Sequence, residues 1–137
     1  MERPETKARA RALQLLYAWD LSGRPSIDRV VSRLAGAFGK IPPGYARGAE
    51  LAARAAAGQA EYAARLGRIA EHWRLERVGV IERNILRLAM AELDEGTTPP
   101  RVVLNEAVKL AHWFGGGKSP AFVNGVLDAV ARELGAL

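Results

Sequence analysis

Apolar residues recur at intervals of three and four along most of the chain, a spacing typical of amphipathic α-helices. The spacing predicts a helix over about 6–21 and, after the candidate N-cap Ser26, a second helix. An Ala-rich segment over 45–73 predicts either one long helix or two shorter ones. Gly58 and Gly67 are the alternative points at which this segment would break.

A predicted helix over about 78–93 has an unusually wide apolar surface. At ~100° per residue its apolar side chains cover roughly 200° of the circumference, so we expect it to lie in the middle of the fold. Glu82 and Glu92 fall inside this apolar arc. Each carboxylate therefore needs a partner or an opening to solvent, because an unpaired buried charge is costly.

Two further helices complete the pattern. Thr98 before two prolines is typical of a capped helix start, and Ser119-Pro120 is a second such start. The sequence thus predicts an all-α protein of about seven helices, and its 137 residues fit a single domain over 1–137. No apolar run approaches the ~20 residues that a membrane-spanning helix needs, so we expect no membrane span.

Composition says more about the environment than about the function. The chain has 20 Lys and Arg against 15 Asp and Glu, a net charge of +5. This excess permits a polyanionic partner, but it also fits a solvated, arginine-rich surface. The lack of cysteine excludes disulfides and thiolate zinc sites and fits a reducing compartment. The N-terminus has no apolar signal-peptide region, so we expect a cytoplasmic protein.

Three patterns that could indicate catalysis or metal binding are incomplete. Gly117-Lys118-Ser119 resembles the end of a phosphate-binding loop, but His112 occupies the position of its first glycine. His72 and Glu76 are four residues apart and could ligate a metal, but His112 is the only other histidine. No serine lies in a pattern typical of a nucleophile. We therefore expect no catalytic residue, no metal and no cofactor.

The first helix carries the clearest candidate chemistry. On a helical wheel Lys7, Arg11 and Gln14 share one face, and Tyr17 borders it. Positive charge beside a ring that can stack on an unpaired base is the combination that single-stranded RNA binding needs. The alternative is that Tyr17 is a core-edge aromatic residue whose hydroxyl reaches water.

Four segments, in order along the chain, resemble the NusB family of transcription antitermination factors. They are ALQLLY at 12–17, RNILRL at 83–88, NEAV at 105–108 and FVNGVLD at 122–128. The resemblance implies two small helical bundles packed together. It also implies binding to boxA RNA and to NusE, a ribosomal small-subunit protein, within an RNA polymerase complex that transcribes ribosomal RNA operons. Family members differ in oligomeric state, so a monomer and a homodimer both stay open.

The family resemblance also suggests which residues contact RNA. It implies RNA binding by an arginine-rich N-terminal segment, where Lys7 and Arg9 fall at basic positions and Arg11 is an additional base. Glu5 and Thr6 stand where other members can have arginine, so we expect weak RNA affinity without NusE. The expected RNA-binding residues are Lys7, Arg9, Arg11, Gln14, Tyr17 and Glu82.

The resemblance implies a protein-partner interface at Glu76, Glu82 and Phe122. Glu82 can alternatively be a first-turn carboxylate favoured by the helix dipole, and Phe122 a core anchor of the last helix. Six other polar residues are expected to be structural and to form a buried network between helices. They are Arg87, Glu92, Asn105, Glu106, Asn124 and Asp128.

Two other functions compete with antitermination. One is the NusB-like RNA-binding domain of certain rRNA cytosine methyltransferases, which would need a cofactor-binding α/β domain that we do not expect in this chain. The other is a stand-alone NusB-like helical module that binds RNA or protein without an antitermination role. RNA binding with and without NusE would separate the second alternative from antitermination.

Overall fold

A computed structural model describes the backbone of residues 3–73 and 78–137 and the side chains of 3–69 and 78–137. Within these ranges the chain forms seven helices and no strand, as the all-α prediction requires. The helices are α1 (Pro4–Leu21), α2 (Ile27–Phe38), α3 (Tyr45–Ala57), α4 (Gln59–Trp73), α5 (Val80–Glu95), α6 (Pro100–Phe114) and α7 (Ser119–Glu133). Across the described residues, none of these helices is both long and apolar enough to cross a bilayer.

The helix boundaries follow the local sequence signals closely. The break between α3 and α4 lies at Gly58, whereas Gly67 lies inside α4. Ser26 is the N-cap of α2, although its side chain makes no capping hydrogen bond. The expected cap at Thr98 is wrong by one residue, since Pro99 is the N-cap of α6. Proline fits there because its extended backbone leaves its carbonyl free to accept hydrogen bonds from the N–H groups of the first turn.

The helices pack as two bundles, α1–α3 and α4–α7, which α5 joins by contacting α1 and α3. The most extensive contact is between α1 and α3. Gly48 permits this close approach, because a Cβ there would lie 2.8 Å from the carbonyl oxygen of Ala8 and 2.7 Å from Cβ of Arg11. The architecture confirms the two-bundle fold that the family resemblance implied.

Helix α5 occupies the centre, as its wide apolar arc predicted. It contacts α1, α3, α4, α6 and α7. Ile85, Leu86 and Met90 are fully buried, and apolar residues of every other helix complete the same core. The charged side of α5 is also mostly buried, so its polar residues require partners from neighbouring helices.

The prediction of a buried polar network is wrong for three of its six residues. Asn105 and Asn124 are exposed on α6 and α7. Asp128 accepts a hydrogen bond at 2.9 Å from Arg132, one turn later on the surface of α7. These positions face away from the helix contacts, so packing does not bury them. Arg87, Glu92 and Glu106 do form inter-helix networks with partners on α1.

Candidate nucleic-acid and partner interface

The predicted RNA-binding face of α1 is present on the surface. Lys7 and Gln14 are exposed, and Tyr17 is 40% exposed. Arg11 donates a hydrogen bond from Nη1 to Oε1 of Gln14 at 3.1 Å and one from Nε to the carbonyl of Pro43 at 3.3 Å. These contacts hold the Arg11 guanidinium along α1, beside Gln14. One face of α1 therefore presents two cations, an amide and an aromatic ring.

Arg9 does not belong to this face, and its assignment to phosphate binding needs correction. Its Nε and Nη2 donate to the two carboxylate oxygens of Glu92 at 2.8 and 2.7 Å, and its Nη1 donates to Glu106 at 3.0 Å. The side chain is only 5% exposed. Burial by itself lowers the pKa of Arg9, but Glu92 and Glu106 raise it above its usual value, so the guanidinium stays charged. Arg9 joins α1 to α5 and α6.

The helical register of α1 distinguishes Arg9 from its basic neighbours already in the sequence. Arg9 precedes Ala12, Leu13 and Leu16 by three, four and seven residues, so it lies on the apolar row of α1. A cation at such a position is buried once the helix packs. Lys7 and Arg11 are two residues away on either side and therefore point elsewhere.

Tyr17 lines a shallow groove where α1, α5 and α6 meet. The groove has a volume of about 220 Å³, and its lining residues are Leu13, Gln14, Tyr17, Ile81 and Phe114. The exposed Phe114 ring is in edge-to-face contact with the Trp113 ring, with 6.4 Å between centroids. An open apolar groove with two aromatic walls and one amide is suited to hold a flat, partly polar group such as a nucleobase.

Glu82 lies at the first turn of α5, where it meets the start of α7. The Ser119 hydroxyl donates a hydrogen bond to Oε2 of Glu82 and accepts one from the backbone N–H of Gly116 at 3.0 Å. Glu82 is half-buried. A Cβ at Gly79 would lie 2.5 Å from Oε1 of Glu82, so this carboxylate folds back over the helix start. Its partner explains how a carboxylate is tolerated inside the apolar arc.

Phe122 lies one turn after Ser119 on α7. Its ring is half-buried and packs against the core, and its role in a partner interface stays a prediction. Glu76, the third expected partner contact, lies outside the described residues. Of the expected partner residues, the structure thus brings Glu82 and Phe122 to the same α5–α7 corner.

The structure also shows a charged cluster that the sequence analysis missed. The carboxylate of Asp20 accepts hydrogen bonds from Arg83 at 2.6 Å, Arg87 at 2.7 Å, Asn84 at 3.0 Å and Arg24 at 3.1 Å. Burial by itself raises the pKa of Asp20, but hydrogen bonds from the three arginines and the amide hold it well below its usual range. The helical register again predicts the burial of Asp20, because Asp20 follows Leu16 by one turn on the apolar row of α1.

The structure describes part of the patterns that could indicate other chemistry. Gly117-Lys118-Ser119 connects α6 to α7, so a helix and not a strand precedes it, as expected from sequence. Among the described residues, no three His, Cys, Asp or Glu side chains are grouped so that they could hold a metal ion. The side chain of His72 and all of Glu76 lie outside the described residues.

Comparison with known proteins identifies the family. The NusB family model matches residues 6–132, and the chain belongs to this family. It is 41% identical over 129 residues to the transcription antitermination protein NusB of Solibacter usitatus, a match covering 93% of this chain and 88% of the relative. It is 39% identical over 141 residues to the NusB of Anaeromyxobacter dehalogenans, covering 98% of this chain and 94% of the relative.

Solved structures show the same fold. A T. maritima NusB structure has a TM-score of 0.80 at 25% identity, with 97% of this chain and 94% of that chain covered. A crystal structure of the antitermination factors NusB and NusE in complex with dsRNA has a TM-score of 0.80 at 30% identity. That match covers 97% of this chain and 99% of that chain. The helical arrangement is therefore the NusB fold over nearly the whole length of the protein.

Proposed function

We propose that this protein is a cytoplasmic transcription antitermination factor without enzymatic activity. It pairs with NusE, binds boxA RNA and joins the RNA polymerase complex that transcribes ribosomal RNA operons. The observation that carries this proposal is family membership over residues 6–132, together with the fold match to a NusB structure solved with NusE and dsRNA. Electrostatic attraction would supply much of the RNA affinity, and exposed bases would supply specificity.

Four RNA contacts of the proposal are residues of the outward face of α1, and Glu82 on α5 is a fifth. Lys7 and Arg11 would bind phosphates, while Gln14 would offer hydrogen bonds to a base edge. Tyr17, with its exposed ring beside the 220 Å³ groove, would stack on a base. Support comes from the shared exposure of these side chains and from the hydrogen bond between Arg11 and Gln14.

The partner contacts of the proposal lie at the α5–α7 corner. Glu82 would face both RNA and NusE, and the accessible side of Phe122 would contact NusE. The proximity of Glu82 and Phe122 supports a shared partner surface, because Ser119 donates a hydrogen bond to Glu82 and lies one turn before Phe122. Glu76 belongs to the same proposed surface by family resemblance.

Fluorescence anisotropy with a labelled boxA oligonucleotide would test the proposal. We expect the isolated protein to bind weakly and to bind more tightly once NusE is added, because Glu5 and Thr6 leave its N-terminal segment with few cations. Equal affinity with and without NusE would contradict the cooperation. Binding to neither RNA nor NusE would instead favour a module with another role.

A tyrosine variant locates the RNA surface in the same assay. Tyr17→Leu keeps apolar bulk but removes the ring, and should cost ~1–3 kcal/mol of binding free energy if a base stacks there. Tyr17→Phe, the matched control, keeps the ring and should bind nearly as well as the parent. Parent-like binding by Tyr17→Leu would move the RNA surface away from this groove.

A further inference from the structure

The Asp20 cluster has more positive charge than its one carboxylate neutralises. Three guanidinium groups, those of Arg24, Arg83 and Arg87, bond to the one carboxylate of Asp20. Among the described residues, no other carboxylate forms an ion pair with these arginines. Repulsion is already felt within the cluster, since burial and the nearby charges of Arg24 and Arg83 lower the pKa of Arg87 although Asp20 raises it.

The three arginines differ in what they present to solvent. Arg87 is 10% exposed and its guanidinium lies 5.4 Å from the centroid of the Trp19 ring, so it neutralises Asp20 inside the fold. Arg83 and Arg24 are 35% and 43% exposed. Asp20 itself is only 2% exposed. The surface therefore shows two fixed guanidinium groups, while the carboxylate that positions them is hidden beneath.

The backbone of Arg24 has a left-handed conformation, which is rare for a residue with a side chain. The α1 C-terminus closes with two hydrogen bonds, from Gly23 N–H to the Asp20 carbonyl and from Arg24 N–H to the Trp19 carbonyl. Gly23 adopts the left-handed conformation that this motif requires, with φ 86°. Arg24 follows with φ 58°, and no other non-glycine among the described residues has a positive φ. Such strain in a side-chain-bearing residue is uncommon and is found preferentially at functional sites.

The cluster adjoins the proposed RNA surface. Tyr17 precedes Asp20 by three residues on α1, and helix residues at this spacing have Cβ atoms about 5–6 Å apart. Tyr17 of the aromatic groove thus lies one helical turn before Asp20, which holds the paired guanidinium groups. This combination matches a nucleotide, with a base to stack and a phosphate to bind. An acidic protein segment would use the charges but would leave the aromatic groove without a purpose, so the observations favour RNA.

We propose that Arg24 and Arg83, positioned by buried Asp20, form a binding site for a backbone phosphate of single-stranded RNA. The bound RNA runs from the N-terminal cations of α1 across Tyr17 to this site at the end of the helix. The inference rests on the proposed RNA-binding function and adds to it a second phosphate site with its own residues. Guanidinium groups suit this role because their planar donors bind phosphate oxygens in pairs.

A matched pair of variants tests the site in the complex with NusE. Arg24→Gln removes an exposed arginine that pairs with Asp20, four residues earlier. The control Arg132→Gln removes an exposed arginine of α7 that pairs with Asp128, also four residues earlier. The last turn of α7 forms an ion pair with α4 and, among the described residues, not with α1. Both variants lower the net charge equally. Loss of one phosphate contact should flatten the slope of log affinity against log salt by ~0.7. Raising the salt concentration from 50 to 200 mM would then lower the RNA affinity of Arg24→Gln about 2.6-fold less than that of the parent. The RNA affinity of Arg132→Gln should show the same salt dependence as that of the parent.

A glycine variant separates binding from folding. Arg24→Gly relieves the left-handed strain and should melt at or above the temperature of the parent. It should nevertheless lose RNA affinity as Arg24→Gln does. A purely structural arginine would give the opposite result, with a lower melting temperature and unchanged RNA binding.

The outcomes distinguish this inference from the function on which it rests. If the parent complex binds boxA RNA and Arg24→Gln keeps the parental salt slope, the phosphate site is overturned while the antitermination function stands. If Arg24→Gln weakens NusE binding without RNA but leaves the salt slope unchanged, the cluster is a protein contact and the inference is likewise overturned. If the parent complex binds no RNA, the proposed function itself fails.

Discussion

Residues of α1 that look alike in composition have opposite roles in the structure. Lys7 is exposed, whereas Arg9, two positions later, is buried between Glu92 and Glu106. The difference follows from the helical register, which turns Arg9 toward α5 and α6. A buried ion pair adds little net stability as a pair, but removal of one partner leaves an uncompensated charge.

Substitution of Arg9 should therefore affect folding and not RNA electrostatics. We expect Arg9→Gln to lower the free energy of unfolding by ~3–5 kcal/mol, because Glu92 loses the guanidinium that bonds both of its oxygens. Urea denaturation measures this change. Lys7→Gln is the control, which should change stability by less than ~0.5 kcal/mol but flatten the RNA salt slope by ~0.7. An Arg9→Gln protein with parental stability would contradict the structural role.

At the scale of elements, the sequence predicted the helical segments, apart from the point at which 45–73 divides, but not how closely the helices approach. The α1–α3 contact depends on Gly48, which is buried against the α1 backbone, whereas Gly67 in α4 has open space where a Cβ would be. Both are glycines inside helices, so sequence alone gives them the same meaning. Only the packed pair of helices distinguishes the required glycine from the tolerated one.

Two alanine substitutions should consequently change stability in opposite directions. Gly48→Ala places a methyl group 2.8 Å from the Ala8 carbonyl oxygen, and we expect a loss of ~1–3 kcal/mol from overpacking. Gly67→Ala meets no neighbour and should gain ~0.5–1 kcal/mol from helix propensity. Thermal or urea unfolding of both variants would measure the difference. Equal gains in both would show that α3 does not rest on the α1 backbone.

At the scale of the whole molecule, two ion networks join the bundles. Arg9 connects α1 to α5 and α6, and Asp20 connects α1 to α5. Lys109 also pairs with Glu106, at 3.2 Å. Burial raises the pKa of Glu106, but hydrogen bonds from Thr6 and Lys109 and the charges of Lys109 and Arg9 hold it below its usual value. The charged forms of Asp20 and Glu106 therefore stabilise the folded state.

This arrangement predicts acid sensitivity with a defined sign. Since the folded pKa values of Asp20 and Glu106 lie below their unfolded values, their contribution is fully present above about pH 5 and is lost as pH falls through the folded values. Urea midpoints measured from pH 7 down to about pH 2.5 should decline. Asp20→Asn should be less stable than the parent at pH 7 and should decline less steeply. Parallel pH profiles for the two proteins would contradict the assignment to Asp20.

The sequence by itself determined the helical segments other than the division of 45–73, the central position of α5 and the family to which the chain belongs. These properties depend on local periodicity, on capping residues and on motifs contiguous in the chain. The candidate RNA face of Lys7, Arg11, Gln14 and Tyr17 was also readable, because it lies within a single helix. The contact residues proposed on that face stay predictions for binding experiments.

The tertiary structure alone decided which charges are buried and with which partners. Asp20 meets Arg83 and Arg87 more than 60 residues further along the chain, and Arg9 meets Glu92 and Glu106 across still longer separations. Helical periodicity gives the direction of a side chain on its own helix, but the helix that covers it depends on how all seven pack. For this reason the cluster around Asp20, with its two exposed guanidinium groups, depends on the packing of α1 against α5.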